Sequence, residues 1–375
     1  MKGVVITLVA VFLISLSVTN VTATSYSSAL EEVGGNNLTD NLDKSAKGIL
    51  SDLGVEESDY QSVINLSFSD MLREILNIAG EEGVTPIASS ALILCLLLIY
   101  SVFDNFKDNL KSRDMSKISD VIFVLIITIS VSTPVLDVIN RAVNSIGNAS
   151  HFMLLYIPIM AVILITNGQS VTGGAYYSLV VMASEGILWL SSNLIAPLLS
   201  VFLGVSVTSS ISSEIKLSGI VNQLSKIIKW IIAFMMTVFS GLLTFKTLIT
   251  TAADTVSTRA VRFTLSSFIP IVGSALSEAY KTIQGSMNLL KTGIGVFVII
   301  SIVAVFLPII INCLFWLMSL NITNGVAEML GVKEPTTILG ACSTVLSTLL
   351  VIILCTMAIY VISTAIIITM GTSGR

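Results

Sequence analysis

Residues 338–370 contain no Asp, Glu, Lys or Arg, and this uncharged run limits what the chain can fold into more than any other feature. A helix needs about 20 apolar residues to cross a bilayer, so the run is longer than one straight span requires. Only 11% of all residues are charged, whereas a soluble domain has about 25%. No alternation typical of outer-membrane barrels is present. The sequence therefore predicts an all-α, polytopic helical bundle in a membrane.

The apolar runs predict roughly six to eight spans. The first covers residues 86–103, the second covers residues 121–139, and residues 153–166 begin the next apolar run. The loop between the first two spans carries Lys107, Lys111, Arg113 and Lys117. Basic side chains next to a span are typical of the cytoplasmic side, so this loop is predicted to be cytoplasmic.

The amino-terminal residues 1–23 have the pattern of a signal peptide. Lys2 precedes an apolar core over residues 4–18, and Val21-Thr22-Ala23 is a cleavage site of the small-residue type. An uncleaved signal anchor is the alternative. Under both interpretations, the residues that follow lie across the membrane from the cytoplasm.

Residues 24–85 differ in composition from the rest, with twelve acidic and three basic side chains. We interpret them as a small, helical extracytoplasmic segment that precedes a membrane domain over residues 86–375. Apolar residues recur at helical spacing from Phe68 to Leu76, with Asp70, Arg73 and Glu74 on the other face. This pattern predicts an amphipathic helix docked on the membrane domain or on a partner, or else an ordinary packed surface helix.

Short motifs recur at a spacing of roughly 110 residues, which suggests an internal repeat over residues 116–224 and 225–340. Ser116-Lys117-Ile118 recurs as Ser225-Lys226-Ile227, and Tyr156-Ile-Pro158-Ile as Phe268-Ile-Pro270-Ile. Duplicated halves commonly surround a central site in membrane proteins. Chance recurrence in a sequence of low diversity is the alternative.

Catalytic and cofactor motifs are missing from the sequence, so we predict a non-enzymatic protein without a cofactor or metal. The lone histidine, His151, cannot form a two-histidine zinc motif, and no phosphate-binding loop is present. The four cysteines all lie in apolar runs and lack a paired spacing. The net charge of −4 and the lack of a basic patch argue against nucleic-acid binding.

Ionisable residues inside apolar segments are the better functional candidates, because charge in hydrocarbon is costly and usually faces the bundle interior, water or another charge. Glu185 stands out because its surroundings are otherwise uncharged. Asp254, Arg259, Arg262 and Glu278 lie in the most polar part of the membrane domain. With Pro158 and Pro270 of the repeated motif, these are our candidate pathway or subunit-contact residues. Location near the membrane interface is the alternative for the charged ones.

The region 250–292 is too charged and its apolar run too short for a simple span. A re-entrant or half-membrane hairpin at the Ile-Pro-Ile motif is one interpretation, since such irregular backbone is tolerated where protein or water surrounds it.

Several motifs resemble the stage III sporulation protein AE family of endospore-forming Firmicutes. They are Leu66-Ser-Phe68, His151-Phe-Met with Ile157-Pro158, Asp254 with Arg259-x-x-x-Phe263, and Phe268-Ile-Pro-Ile-Val-Gly273. The resemblance covers essentially the whole chain, including the signal peptide. Glu185 matches no family motif.

This resemblance implies a multi-pass subunit of a channel-like, secretion-like complex between mother cell and forespore. The protein would lie in the mother-cell membrane around the forespore, with the mature amino terminus extracytoplasmic. Its partners would be other membrane proteins of the sporulation stage III operon and, indirectly, a forespore protein. The complex would sustain late forespore gene expression and spore development. A stand-alone permease and a purely structural membrane anchor are the alternatives.

Overall fold

The computed structural model describes residues 26, 30–31, 33–35, 38–57, 59–64, 66–107, 113–195, 197, 199–201, 204, 218–268 and 273–369. The expected signal peptide, residues 1–23, lies outside the described residues. All regular elements among the described residues are helical. This confirms the all-α class.

Two short helices, α1 (Lys44–Asp52) and α2 (Tyr60–Ile64), form the amino-terminal segment. Asp43 starts α1 as its cap, because its side chain accepts a hydrogen bond from the Ala46 backbone N–H at 2.9 Å. Apolar side chains of α1, Ala46 and Ile49 among them, are buried. Both helices pack against α7, so this acidic segment is docked on the bundle.

Six longer helices form the bundle within the described part of the chain. They are α3 (Phe68–Lys107), α4 (Arg113–Thr166), α5 (Ser170–Leu190), α6 (Ser218–Phe268), α7 (Gly273–Met329) and α8 (Lys333–Thr369). A π-helical turn, Ser191–Ile195, follows α5. Within the described residues, five helices are long and apolar enough to cross a membrane: α3, α4, α6, α7 and α8. The chain is a polytopic helical membrane protein.

Helix α7 is the centre of the bundle, where it packs most extensively on α8 and also contacts α3, α4 and α6. Its buried side chains include Phe297, Phe306 and Trp316. Helix α3 comes close to α7 at Gly83, where a Cβ atom would lie only 3.1 Å from the ring of Phe315. The innermost helix is thus also the most apolar of the five, as expected for a buried element.

Helix α4 is continuous over 54 residues and contains both of the apolar runs, residues 121–139 and 153–166, that were predicted to be separate. The polar stretch between them, residues 140–151, continues the helix without a break. Two of its polar side chains, Arg141 and Ser150, have partners on neighbouring helices, and the stretch does not need a loop. This difference accounts for part of the gap between the six to eight expected spans and the five candidate helices of the described residues.

The bundle is taller than one bilayer. Helix α7 has 57 residues, and a rise of about 1.5 Å per residue makes it roughly 85 Å long. The hydrocarbon core of a bilayer is about 30 Å thick, and tilts rarely exceed about 40°. Even a strongly tilted α7 therefore extends well beyond the hydrocarbon.

Two tiers can be defined along this height, separated by contacts between Glu82, Arg141 and Asn312. The lower tier adjoins the basic loop and consists of α3 from residue 87, α4 to residue 139, α7 from residue 313 and α8 to residue 346. The upper tier consists of α3 before residue 82, α4 from residue 142, α5, α6 from about residue 228, α7 before residue 312 and α8 from about residue 351.

The apolar residues at the start of α3 face away from the rest of the protein. Phe68 is 79% exposed and Leu76 64%, whereas Glu74 is 9% exposed and faces the protein. The prediction that this apolar face docks on the membrane domain is therefore wrong within the chain. Helix α3 also continues through Pro86 without a break, across the predicted boundary between residues 85 and 86.

Helices α6 and α7 account for the polar region 250–292. Helix α6 ends at Phe268 and α7 begins at Gly273, so two long helices flank the short connection. A half-membrane element is thus not needed to explain residues 250–268. The motif that includes Pro270 lies outside the described residues.

Candidate functional site

A first polar junction ties three helices together between the two tiers. The Arg141 guanidinium of α4 donates to the Glu82 carboxylate of α3 at 2.6 Å. The Asn312 side chain of α7 donates to the other carboxylate oxygen at 2.8 Å and to the Glu82 carbonyl at 3.2 Å. Asn312 is almost fully buried. One carboxylate thereby holds α3, α4 and α7 in register, through charge-assisted hydrogen bonds.

A second polar junction lies at the top of the upper tier, where Asp254 of α6 caps the start of α5. Its two carboxylate oxygens accept hydrogen bonds from the backbone N–H groups of Val171 and Thr172, at 3.0 and 2.8 Å. The first N–H groups of a helix have no partner inside the helix and attract negative charge. Asp254 is only 3% exposed, so these bonds form away from water.

The turn between α4 and α5 completes the second junction. Gly168 has a φ of +81°, a backbone conformation that residues other than glycine rarely adopt. The Asn167 side chain donates to the Asn288 side-chain oxygen at 2.7 Å, and the Gln284 side chain donates to the Asn167 carbonyl at 3.1 Å. The Thr258 hydroxyl lies 3.4 Å from the Gly168 carbonyl. The turn is therefore held by both α6 and α7.

Further hydroxyl contacts link α4, α6 and α8. Ser150 of α4 and Tyr360 of α8, both fully buried, are hydrogen-bonded at 2.7 Å. Ser225 of α6 contacts Thr348 of α8 at 2.6 Å, and the Lys229 ammonium donates to the Ser347 hydroxyl at 2.9 Å. Small polar residues at helix–helix contacts are common in membrane bundles. They fix the relative heights of α4, α6 and α8.

The predicted site residues are placed as follows. Asp254 forms the second junction. Beyond it, α6 residues 255–268 and α7 residues 273–287 extend about 20 Å past the α4–α5 turn, and we name this pair the projecting hairpin. Arg259 and Glu278 lie exposed on it. Arg262 lies on its α6 arm, but its side chain is outside what the structure describes.

The other candidates lie elsewhere. Glu185 is exposed on α5, and Pro158 is exposed within α4. Pro270 lies outside the described residues, so the structural equivalence of the two Ile-Pro-Ile copies is not tested. The repeat stays a prediction.

Sequence reasoning missed Glu82, Arg141 and Asn312. Arg141 could have been noticed, because it follows directly on an apolar run and would need a partner near hydrocarbon. Asn312, 230 residues from Glu82 in the sequence, carries no signal that identifies its partner.

Within the described residues, no group of three His, Cys, Asp or Glu side chains could share a metal ion. In that part of the chain, the polar side chains mainly hold helices together. Their arrangement suits a rigid platform with a projecting hairpin.

Comparison with known proteins identifies a family for this chain. Stage III sporulation protein AE of Bacillus subtilis (strain 168) is 23% identical over 258 residues, which cover 68% of this chain and 62% of that relative. The aligned part thus spans less than two thirds of the relative's length. No solved structure matches the chain. The family model of stage III sporulation protein AE matches residues 56–371, which is most of the chain but begins within the amino-terminal segment. The chain therefore belongs to the stage III sporulation protein AE family.

Proposed function

We propose that this protein is a non-enzymatic membrane subunit of the channel complex that links mother cell and forespore during sporulation. The observation that carries the proposal is the family match over residues 56–371. The fold supports it, because the two polar junctions hold a tall bundle in register and leave a projecting hairpin and a docked amino-terminal segment for contacts with other proteins. Its partners are the other membrane proteins of the stage III operon and, through them, a forespore protein.

The lower tier lies in the mother-cell membrane that surrounds the forespore, with the basic loop in the cytoplasm. Each of its four helices has a stretch without Asp, Glu, Lys or Arg: residues 87–103, 121–136, 313–327 and 335–346. The basic side chains that follow α3 support the cytoplasmic assignment. These stretches are about 12 to 17 residues long, or roughly 18 to 26 Å, which is shorter than the hydrocarbon core of about 30 Å. In α7 and α8 the uncharged sequence continues into the upper tier and supplies the remaining length.

The upper tier and the amino-terminal segment then face the space between the two membranes. Exposed ionisable side chains on the upper tier support this placement: Asp70, Glu81, His151, Glu185 and Lys246. Charged groups in contact with lipid tails would be costly. The amino-terminal segment lies beside the same tier, because Asp43 contacts Asn148 at 3.4 Å.

The proposal is tested by deleting the gene in the source organism and following a late forespore-specific reporter through engulfment. We expect expression of the late reporter to be blocked after engulfment, while an early forespore reporter is expressed normally. Re-expression of the wild-type chain in the mother cell should restore the reporter, whereas expression in the forespore alone should not.

Spores that form normally with an active late reporter would overturn the proposal. A solute-uptake defect in growing cells of the deletion strain would then favour a stand-alone permease. Deletion of residues 24–55 separates the remaining possibilities, because a platform that recruits partners through this segment loses assembly while the bundle remains in the membrane.

A further inference from the structure

The inner face of α5 is mostly polar, although this helix lies in the upper tier of an apolar bundle. Its buried residues are Thr172, Gly173, Tyr176, Val180 and Ser184, of which Val180 alone has an aliphatic side chain. The Thr172 hydroxyl is partnered, because it donates to the Thr250 hydroxyl of α6 at 3.2 Å. The hydroxyls of Tyr176 and Ser184 lie instead near side chains of α4 and α8.

Six hydroxyl groups from three helices come together inside the upper tier, and we name them the hydroxyl cluster. They belong to Ser150 and Tyr156 of α4, Tyr176 and Ser184 of α5, and Tyr360 and Thr364 of α8. Each of the six residues is at most 1% exposed. The cluster is therefore closed to bulk water, and none of its members carries a charge.

Three members of the cluster use their protons within the chain. Ser150 donates to the Ile146 carbonyl at 2.8 Å, and Thr364 donates to the Tyr360 carbonyl at 3.0 Å. A hydroxyl has only one proton, so Ser150 must accept in its 2.7 Å contact with the Tyr360 hydroxyl. The hydroxyl oxygens of Tyr360 and Thr364 can each still accept a hydrogen bond.

The other three hydroxyls, those of Tyr156, Tyr176 and Ser184, have no hydrogen-bond partner among the described residues. The two tyrosine hydroxyls are neighbours, but their mutual geometry does not form a hydrogen bond. Ser184 also differs from Ser150 and Ser301, which donate to the carbonyl four residues earlier. Unpaired buried hydroxyls are costly and rare in native proteins, so three in one cluster indicate a bound partner.

The packing of the helices favours a small partner at this place. Helix α5 packs extensively on α4 and α6 but makes only a slight contact with α8. Polar side chains rather than closely packed backbones therefore connect α5 to α8 at the cluster. A polar contact of this kind between helices is typical of sites that bind internal water.

We propose that the hydroxyl cluster is a binding site for internal water. The water accepts the protons of Tyr156, Tyr176 and Ser184. It donates its own protons to the hydroxyl oxygens of Tyr360 and Thr364. A buried water forms about three hydrogen bonds, so three donors and two acceptors require about two molecules. These molecules connect α5 to both α4 and α8.

The chemistry of the cluster favours water over an ion. Its members need a partner that both accepts and donates, which a water molecule does and a metal cation does not. An ion without a counter-charge in the cluster would also be costly to bury. The same hydrogen-bond requirement holds whether the upper tier lies inside or outside a membrane, so the site does not depend on the proposed function.

Radiolytic hydroxyl-radical labelling of the purified, folded chain tests for the water, because radicals form from bound water and modify the side chain beside it. Tyr156 and Tyr176 should be labelled although they are buried. The matched control is Tyr100, an equally buried tyrosine of the lower tier whose ring centroid lies 5.6 Å from that of Phe123. Phe152, one turn before Tyr156 and fully buried, controls for opening of the bundle. Both controls should remain unlabelled, and labelling of Tyr156 and Tyr176 no stronger than that of Tyr100 would overturn the site.

Tyr176→Phe provides a second test through the sign of its effect. Removal of a hydroxyl that binds water should lower the midpoint of unfolding in mixed micelles and should reduce the labelling of Tyr156. Removal of a hydroxyl without a partner would leave the midpoint unchanged or raise it, and either result would overturn the site. Tyr177→Phe, at the exposed neighbouring tyrosine, is the control and should change neither quantity. A midpoint that rises with Na⁺ or K⁺ but not with choline would assign the site to a cation and would also overturn the proposal.

Discussion

The two tiers of this bundle are built from similar apolar residues but differ in where their polar and charged side chains lie. In the lower tier, four helices with uncharged stretches leave apolar side chains such as Ile99 and Ile126 exposed, which suits the lipid contact proposed for this tier. In the upper tier, five or six helices meet at the same heights, and polar or charged groups lie both between them and on their surface. Under the proposed placement, exposed apolar side chains face lipid in the lower tier, and water or another protein in the upper tier.

The two polar junctions differ in their access to water. The contact between Glu82 and Arg141 retains access to water, with side chains 18% and 42% exposed. The contact of Asp254 with the α5 backbone is closed to water. A buried carboxylate whose partners are removed costs more than an exposed one, so the upper junction is predicted to be the more sensitive.

Asp254→Ala should have the largest effect. It leaves the N–H groups of Val171 and Thr172 without acceptors, the second of them in a buried position, and we expect a loss of about 2–4 kcal/mol in the free energy of unfolding. Unfolding in mixed detergent micelles measures it. Asp254→Asn, which keeps one acceptor oxygen, should lose less, and Lys246→Ala on the exposed side of α6 serves as the control. Equal stability of Asp254→Ala and the wild type would contradict the capping role.

Glu82→Ala should have an intermediate effect, about 1–2 kcal/mol, because it removes the acceptor shared by Arg141 and Asn312. Water can partly replace the carboxylate at Arg141, which reduces the loss. A double-mutant cycle with Arg141→Met measures the coupling between the two side chains. Additive losses would show that the pair does not hold α3 to α4.

Tyr360→Phe should cost about 1 kcal/mol, since it removes a hydrogen bond to Ser150 between two fully buried hydroxyls. Ser150→Ala in the same background should add little, because the second hydroxyl has then already lost its partner. The lower-tier contact of Ser343 with Asn321 is exposed, so Ser343→Ala should be nearly neutral. A larger loss at Ser343 than at Tyr360 would reverse the comparison between the tiers.

The smallest expected effect is a pH dependence of the stability of the amino-terminal segment. Burial raises the pKa of the Glu57 carboxyl above its ordinary value of 4.5, although Thr39 donates two hydrogen bonds to it. The protonated form is therefore favoured in the folded segment. The contribution of Glu57 to folding is fully present below pH 4.5 and is lost as the pH rises through the raised pKa.

Hydrogen exchange of residues 38–57 between about pH 4 and 7 measures this dependence, after correction for the intrinsic exchange rate. Protection should fall as the pH rises, and Glu57→Gln, which cannot ionise, should flatten the curve. An unchanged pH profile in Glu57→Gln would exclude Glu57 as the titrating group.

Much of the fold was predictable from the sequence because bilayer thickness imposes long apolar runs. The uncharged runs in α7 and α8 identified membrane helices, and the cost of charge in hydrocarbon drew attention to Asp254. The role of Asp254 could not be predicted, since its partner Thr172 is 82 residues away and the contact depends on how α5 and α6 meet.

Two expectations failed for related physical reasons. Residues 140–151 have the polarity of a loop, but Arg141 and Ser150 find partners on other helices and the helix continues. The periodicity of residues 68–76 correctly predicts a helix but assigns the wrong face to the protein. Glu82 binds Arg141 of α4 and Asn312 of α7, and these contacts direct its side of α3 toward the protein. The residue pattern of a single helix contains no information about such partners.

The most direct test of the proposed placement of the two tiers is thiol labelling with a membrane-impermeant maleimide in cells sampled before engulfment is complete, while the space between the two membranes is still open to the medium. The variants are His151→Cys and Ser178→Cys in the upper tier, and Ile99→Cys and Ile126→Cys in the lower tier, all at exposed positions in a Cys95→Ser background. Thiols must ionise in water to react, so groups in hydrocarbon remain unlabelled. The account predicts labelling of residues 151 and 178 and no labelling of residues 99 and 126. Labelling of the lower pair, or protection of the upper pair, would contradict it.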